Sequence, residues 1–275
     1  MANNEATGAV DRATDSPLFE KAARAGHVVS GLLHLLIAYI IFRIAFGSGG
    51  NADQSGALAT VTDKPGGKLV LWIAAVAFVA MALWRIAEMI IGPHPSEPDS
   101  GQDNSSDKSE LFDRAKAAGL AILYFAFAYS AVQFAVGSGK SSGKQNAGLS
   151  AKLMENTAGK ALLIVVGLII IAIGGYHVYK GVTKKFLEDL KTSGSSVVTP
   201  LGVAGYTAKG LVLVGAGILV IVATINSDPS KATGIDGAVK TLGEAPFGQF
   251  LLVLAGLGIA AYGLYCFAMA RYARM

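Results

Sequence analysis

Six long apolar runs, separated by short polar stretches, set the pattern of this chain. They cover roughly residues 27–46, 69–91, 117–136, 161–179, 208–225 and 250–270. At ~1.5 Å per helical residue, about 20 residues cross a ~30 Å hydrocarbon layer. No formal charge interrupts the second run between Leu69 and Leu83. The runs stop at turn-forming clusters such as Gly47-Ser48-Gly49-Gly50, Gly92-Pro93-His94-Pro95, Gly137-Ser138-Gly139 and Asn226-Ser227-Asp228-Pro229. The pattern predicts an all-α protein with six transmembrane helices.

The runs repeat in pairs. Gly67, Gly159 and Gly248 each open an apolar run, and seventeen residues later each run reaches an aromatic, Trp84, Tyr176 or Tyr265, with no gap needed to align them. Gly26 and Gly31 have the spacing of Gly205 and Gly210, and Leu111-Phe112-Asp113-Arg114-Ala115 echoes Leu18-Phe19-Glu20-Lys21-Ala22. These features divide the chain into a polar segment 1–26, a first repeat 27–91, a linker 92–110 expected to be disordered, a second repeat 111–191 and a third repeat 201–275. Ser16 and Pro17 predict a helix start, read as a short interfacial helix leading into the first span. Phe186, Leu187 and Leu190 share one face of the basic stretch 180–191, which predicts a short helix on the membrane surface. A pair of helices returns to the side it left, so the three hairpin repeats run parallel, about a pseudo-threefold axis along the membrane normal. Gly26 with Ser30, Ala126 with Ser130, and Gly256 with Ala260 are small-residue pairs suited to close helix approach.

Composition agrees and sharpens the picture. The chain is 52% hydrophobic and only 15% charged, against about a quarter charged in a soluble domain. A net charge of +4 needs no nucleic-acid partner, because basic residues accumulate at membrane ends. Of the Lys and Arg residues, 14 fall on the side of both termini and nine on the other, so both termini are expected in the cytoplasm. The first residues lack the basic region and cleavage site of a secretory signal, and the N-terminal segment is expected to stay in the mature protein. Cys266 is the single cysteine, which excludes an intrachain disulfide framework and a Cys-rich metal site.

Three short motifs carry a resemblance. They are Gly205-Tyr206 with Lys209-Gly210, the stretch YHVYKGVTKKF from Tyr176 to Phe186, and Ala261-Tyr262-Gly263-Leu264-Tyr265. With them the chain resembles, over nearly its whole length, a family of uncharacterised bacterial membrane proteins, catalogued as a domain of unknown function, with three tandem two-helix repeats. His27 stands in the first repeat where Tyr206 stands in the third, and the second repeat departs at its opening. The resemblance implies six spans in a bacterial plasma membrane and brings no activity.

The candidate chemistry is sparse. His27 and His34 lie on one helical face, and an ionisable group two turns into a span is a functional candidate. A bis-imidazole haem site would need a partner histidine at the depth of His34. His94 belongs to the Pro-rich turn and His177 is level with His27, so a structural, hydrogen-bonded His34 is the stronger reading. Arg85 and Glu88 can meet on one helix face. His27, His34, Arg85, Glu88, His177 and Lys209 form a polar group toward the cytoplasmic side, and Trp84, Tyr176 and Tyr265 read as an interfacial aromatic belt. The sharper alternative is a vestibule for an anion, a lipid head group or a partner loop. GxSxG, HExxH, CxxC and Walker sequences are absent, and no catalytic, cofactor or metal residues are assigned. The expected function is a non-enzymatic scaffold or accessory subunit in contact with the bilayer and other membrane subunits. A small-solute or ion transporter or channel is the alternative, and a haem-binding membrane protein the third reading.

Overall fold

The computed structural model describes residues 17–91, 107–191 and 196–273; the side chains of residues 17–23, 84, 87, 88, 91, 107–113 and 116 lie outside that description. The polar segment 1–16, including Ser16, and most of the linker, with His94, therefore fall outside it. Every named element is helical. Three repeats follow one another as long helix, short helix, long helix: α1 (Pro17–Ala45), α2 (Gln54–Thr62) and α3 (Gly67–Ile91); α4 (Asp107–Ala135), α5 (Ser142–Met154) and α6 (Thr157–Val182); α7 (Val198–Ile225), α8 (Ile235–Glu244) and α9 (Gly248–Tyr272). Five stretches, in α1, α4, α6, α7 and α9, are long and apolar enough to cross a membrane; the described apolar part of α3, Gly67–Leu83, is shorter. The whole of α3 has 25 residues and holds in its repeat the place of α6 and α9.

The three first helices end alike. Gly47 has φ +79° and Gly137 φ +81°, the left-handed conformation that glycine adopts without steric cost. Around them, Ser48 N–H donates to Arg43 O (2.7 Å) and Gly47 N–H to Ile44 O (3.1 Å), while Ser138 N–H donates to Gln133 O (2.8 Å) and Gly137 N–H to Phe134 O (3.2 Å). This is the Schellman arrangement, which satisfies the last carbonyls. The third repeat has it with Ser227 in the glycine position, at φ +53°.

The glycines that open the second helices have a steric cause. A Cβ on Gly67 would collide with the Val61 carbonyl, one on Gly159 with that of Leu153, and one on Gly248 with that of Gly243. Each second helix starts tightly against the end of its short helix, and no side chain fits in the corner.

The predicted bundle of parallel two-helix repeats is present, but its closest packing joins successive repeats. The second helix of each repeat lies on the first helix of the next: α3 on α4, α6 on α7, and α9 back on α1. The pairing is cyclic in chain order, although the threefold symmetry is incomplete in the packing between pairs. Gly31 of α1 faces Gly263 of α9, and Gly174 of α6 faces Gly210 of α7, each carbonyl within 3.0 Å of where the partner's Cβ would be. Gly167 and Gly217 form a further such contact between α6 and α7. Fifteen residues after its opening glycine, where α6 and α9 have Gly174 and Gly263, α3 has Ala82, which is buried, as is Ala121 of α4. Of the small-residue pairs read from sequence, Gly26 faces open space, whereas Gly256 does meet the Phe42 ring. One substantial crossing, α7 on α9, then unites two pairs, while the α3–α4 pair is tied in through α2.

The short connectors converge at the end of the helices opposite Pro17 and Tyr272. Ala52 N–H donates to buried Asp236 Oδ1 (2.8 Å), and Ser142 N–H to Ser55 Oγ (3.0 Å). Asn146 Nδ2 reaches Thr233 O at 3.5 Å. Each of the three connectors thereby touches both others, and Lys240 completes the group by an ion pair to Asp236 at 2.7 Å.

Several expectations are corrected. α1 runs unbroken from Pro17 to Ala45, so among the described residues the helix that Pro17 opens, as predicted, continues directly into the first span. Residues 107–110, assigned to the linker, are the first turn of α4. The stretch 180–191 is not a helix on the membrane surface. α6 ends at Val182, Lys184 turns left-handed, and a 3-10 turn, Lys185–Leu187, drives Phe186 inward to 0% exposure, with Leu190 at 1%. Leu190 then bridges to Ala273. Gly202 leaves the slot, since a Cβ there would strike the Phe186 ring.

Candidate functional site

The aromatic residues of the terminal half collect around Phe186. Its ring stacks on Tyr206 of α7 (5.5 Å between centroids, 17°) and meets Tyr265 of α9 edge-on (5.3 Å). Tyr206 continues edge-on to Tyr262 (5.2 Å), and Tyr262 packs on the imidazole of His34 from α1 (4.7 Å). His177 of α6 joins through Tyr206 (5.8 Å). Spacing and edge-on geometry are those aromatic quadrupoles favour, each pair contributing roughly 0.5–1.5 kcal/mol beyond burial. Tyr265 is 1% exposed and donates its hydroxyl to Phe186 O at 3.1 Å. It is a core residue and not part of an aromatic belt. Its repeat counterpart Tyr176 is 45% exposed, as a belt residue would be. The side chain of the third, Trp84, lies outside the description.

Lys209 enters this cluster from α7. Its Nζ lies 4.1 Å from the centre of the Tyr262 ring. The residue is eleven positions in from Val198, ~16 Å along the helix. Among the described residues no carboxylate stands within ion-pair distance of it. Tyr124 of α4, Cys266 of α9 and His177 are close enough to interact with it electrostatically. A lysine charge at the centre of a membrane helix costs about 2.5–3.5 kcal/mol on insertion scales, and a ring face returns roughly 0.5–2. The tyrosine alone leaves the ammonium short of compensation. By contrast, Lys180 at the end of α6 pairs with Asp189 at 2.9 Å, both side chains largely buried.

The predicted polar group is thus only partly brought together. His34, His177 and Lys209 share the tyrosine cluster. His34 and His177 each place Nδ1 on the carbonyl one turn back, Ser30 O (2.7 Å) and Ile173 O (2.8 Å), but they pack on different tyrosines. His27 has no ring or hydrogen-bond contact with the cluster among the described residues. Arg85 is on α3, and its expected pairing with Glu88 falls on a side chain outside the description. Sequence reasoning passed over Tyr124 and Tyr262 as site residues, and Phe186 as core. The signal available for Tyr206 and Tyr262 was their presence, with Lys209, in the motifs quoted above. At the terminal end, Arg24 of α1 donates to the carbonyls of Ala270 and Arg271, and Ser30 Oγ lies 3.7 Å from Cys266 Sγ, fixing α1 on α9.

Comparison with known proteins accords with this architecture. The family model described as Domain of Unknown Function (DUF1206) matches residues 25–91, 115–184 and 204–273. Each match takes in one long–short–long unit. The uncharacterized protein YxxB of Bacillus subtilis (strain 168) is 26% identical over 264 residues, covering 94% of this chain and 93% of that protein. No solved structure matches. Three tandem matches spanning about three quarters of the residues, one on each structural repeat, show that the chain belongs to the DUF1206 family.

Proposed function

We propose that this multi-pass membrane protein is a non-enzymatic accessory or scaffold subunit whose outer helix faces dock against other membrane proteins. The observation that carries the reading is the connector hub. Hydrogen bonds from Ala52 to Asp236, from Ser142 to Ser55, and from Asn146 to Thr233 tie the three connectors together at one end of the helices. A conducting path opening between the connectors would have to break them. His34 and His177 are occupied with tyrosine rings and backbone carbonyls, an arrangement suited to rigidity. By the distribution of basic residues the termini face the cytoplasm. Purification in mild detergent tests the proposal: a stoichiometric membrane partner is expected, and recovery of the protein alone would contradict it.

Transport is the competing reading, and it draws on His34, ten residues from one end of the span Arg24–Ala45 and eleven from the other. Solute or ion flux in liposomes that disappears in His34→Ala would favour transport over the scaffold.

A further inference from the structure

We propose that Lys209 anchors an intramembrane site for the carboxylate of a long-chain fatty acid, reached sideways from the lipid between the α3–α4 pair and the remaining helices. Three observations carry it. The Lys209 ammonium has an aromatic face but no carboxylate partner among the described residues, so one negative charge is wanted there. The residue nevertheless keeps partial accessibility, with the Tyr262 ring under its ammonium. Tyr124, near enough to act on it electrostatically, is on α4, and that side is the loosely joined one: α6–α7 and α1–α9 are locked by glycine contacts and by the α7–α9 crossing, whereas α3–α4 is held chiefly through α2.

The α3–α4 side offers an apolar surface suited to an acyl tail. Phe78 of α3 and Tyr124 and Phe127 of α4 form one aromatic group, with centroids 5.6 to 6.4 Å apart, and all three side chains are half-buried. A single cation calls for a monoanion. Its depth calls for a head small enough to leave the interface, which a carboxylate on an apolar chain is and a free phosphate ion, with no tail to carry it into hydrocarbon, is not. The inference is independent of whether the protein has a partner subunit.

The test is thermal unfolding of delipidated, detergent-purified protein with added oleate, oleyl alcohol, acetate or inorganic phosphate. Oleate alone is expected to raise the midpoint in a saturable way. Lys209→Met should weaken the oleate response at least tenfold, and Lys209→Arg should keep it. An equal response in Lys209→Met, or to oleyl alcohol, would mean tail partitioning only and overturn the site; a response to acetate or phosphate would overturn the lipid as source. Should Lys209→Met not fold, Phe127→Ala is expected to weaken oleate binding to otherwise intact protein, and native mass spectrometry of the wild type should count one fatty acid. An unchanged Phe127→Ala affinity, or no bound fatty acid, would equally overturn it.

Discussion

Gly174 of α6 and Gly210 of α7 touch backbone to backbone: a Cβ on Gly174 would come within 2.7 Å of Gly210 O, and one on Gly210 within 2.5 Å of Gly174 O. The two helices belong to different repeats. The closest approach in this part of the bundle therefore links units and does not fold a unit onto itself.

Gly210→Ala should accordingly destabilise, by about 1–3 kcal/mol, the range for overpacking a tight contact. Gly175→Ala, one residue along from Gly174 but facing open space, should be neutral or stabilise by up to about 1 kcal/mol through helix propensity. Thermal unfolding in one detergent reads both. Similar losses at the two sites would mean that the contact is not specific.

Phe186 and Tyr265 offer a graded pair. Phe186→Ala empties a fully buried site between Gly202, Tyr206 and Tyr265, and should cost about 3–5 kcal/mol. Tyr265→Phe removes only the hydroxyl bonded to Phe186 O, at about 1 kcal/mol. Protein with Phe186→Ala as stable as wild type would return the stretch after α6 to the membrane surface.

At the hub, Asp236→Ala leaves the Ala52 N–H without its acceptor and Lys240 without its ion pair. A loss of roughly 1–3 kcal/mol is expected, as for an orphaned buried donor, together with faster proteolysis near residues 51–55. Asp236→Asn keeps an oxygen for Ala52 and should fall between the two. Indistinguishable proteolysis of all three proteins would argue that the connectors are not joined.

Much of this architecture was legible in the sequence, because lipid imposes long apolar helices and because Gly67, Gly159 and Gly248 recur in register. Which helix lies on which was not legible. A stripe of small residues on α6 fits α4 of its own repeat or α7 of the next equally well; only the connectors decide, and they read as polar loops. The helix α8 did leave a trace in Ile235, Val239 and Leu242, which lie four and three residues apart, but a single turn-rich decade is weak against six long runs. Phe186 was misread because its helical face looked amphipathic; the left-handed Lys184 that turns it inward has no sequence signature. Lys209 was visible as a lone charge in an apolar helix, yet its tyrosine partner lies on α9, beyond the reach of local pattern.

The pairing of the first helix with the last is tested most directly by an engineered disulfide using the native thiol. Ser30 Oγ is 3.7 Å from Cys266 Sγ, so S30C oxidised in membranes should link α1 to α9, read as a crosslinked peptide pair by mass spectrometry. In S30C/R85C/C266S, a cysteine in α3 takes the repeat-equivalent position within the first repeat. Efficient crosslinking in the first protein and little in the second is the predicted result; the reverse would mean that each repeat folds back on itself, and would contradict the cyclic pairing.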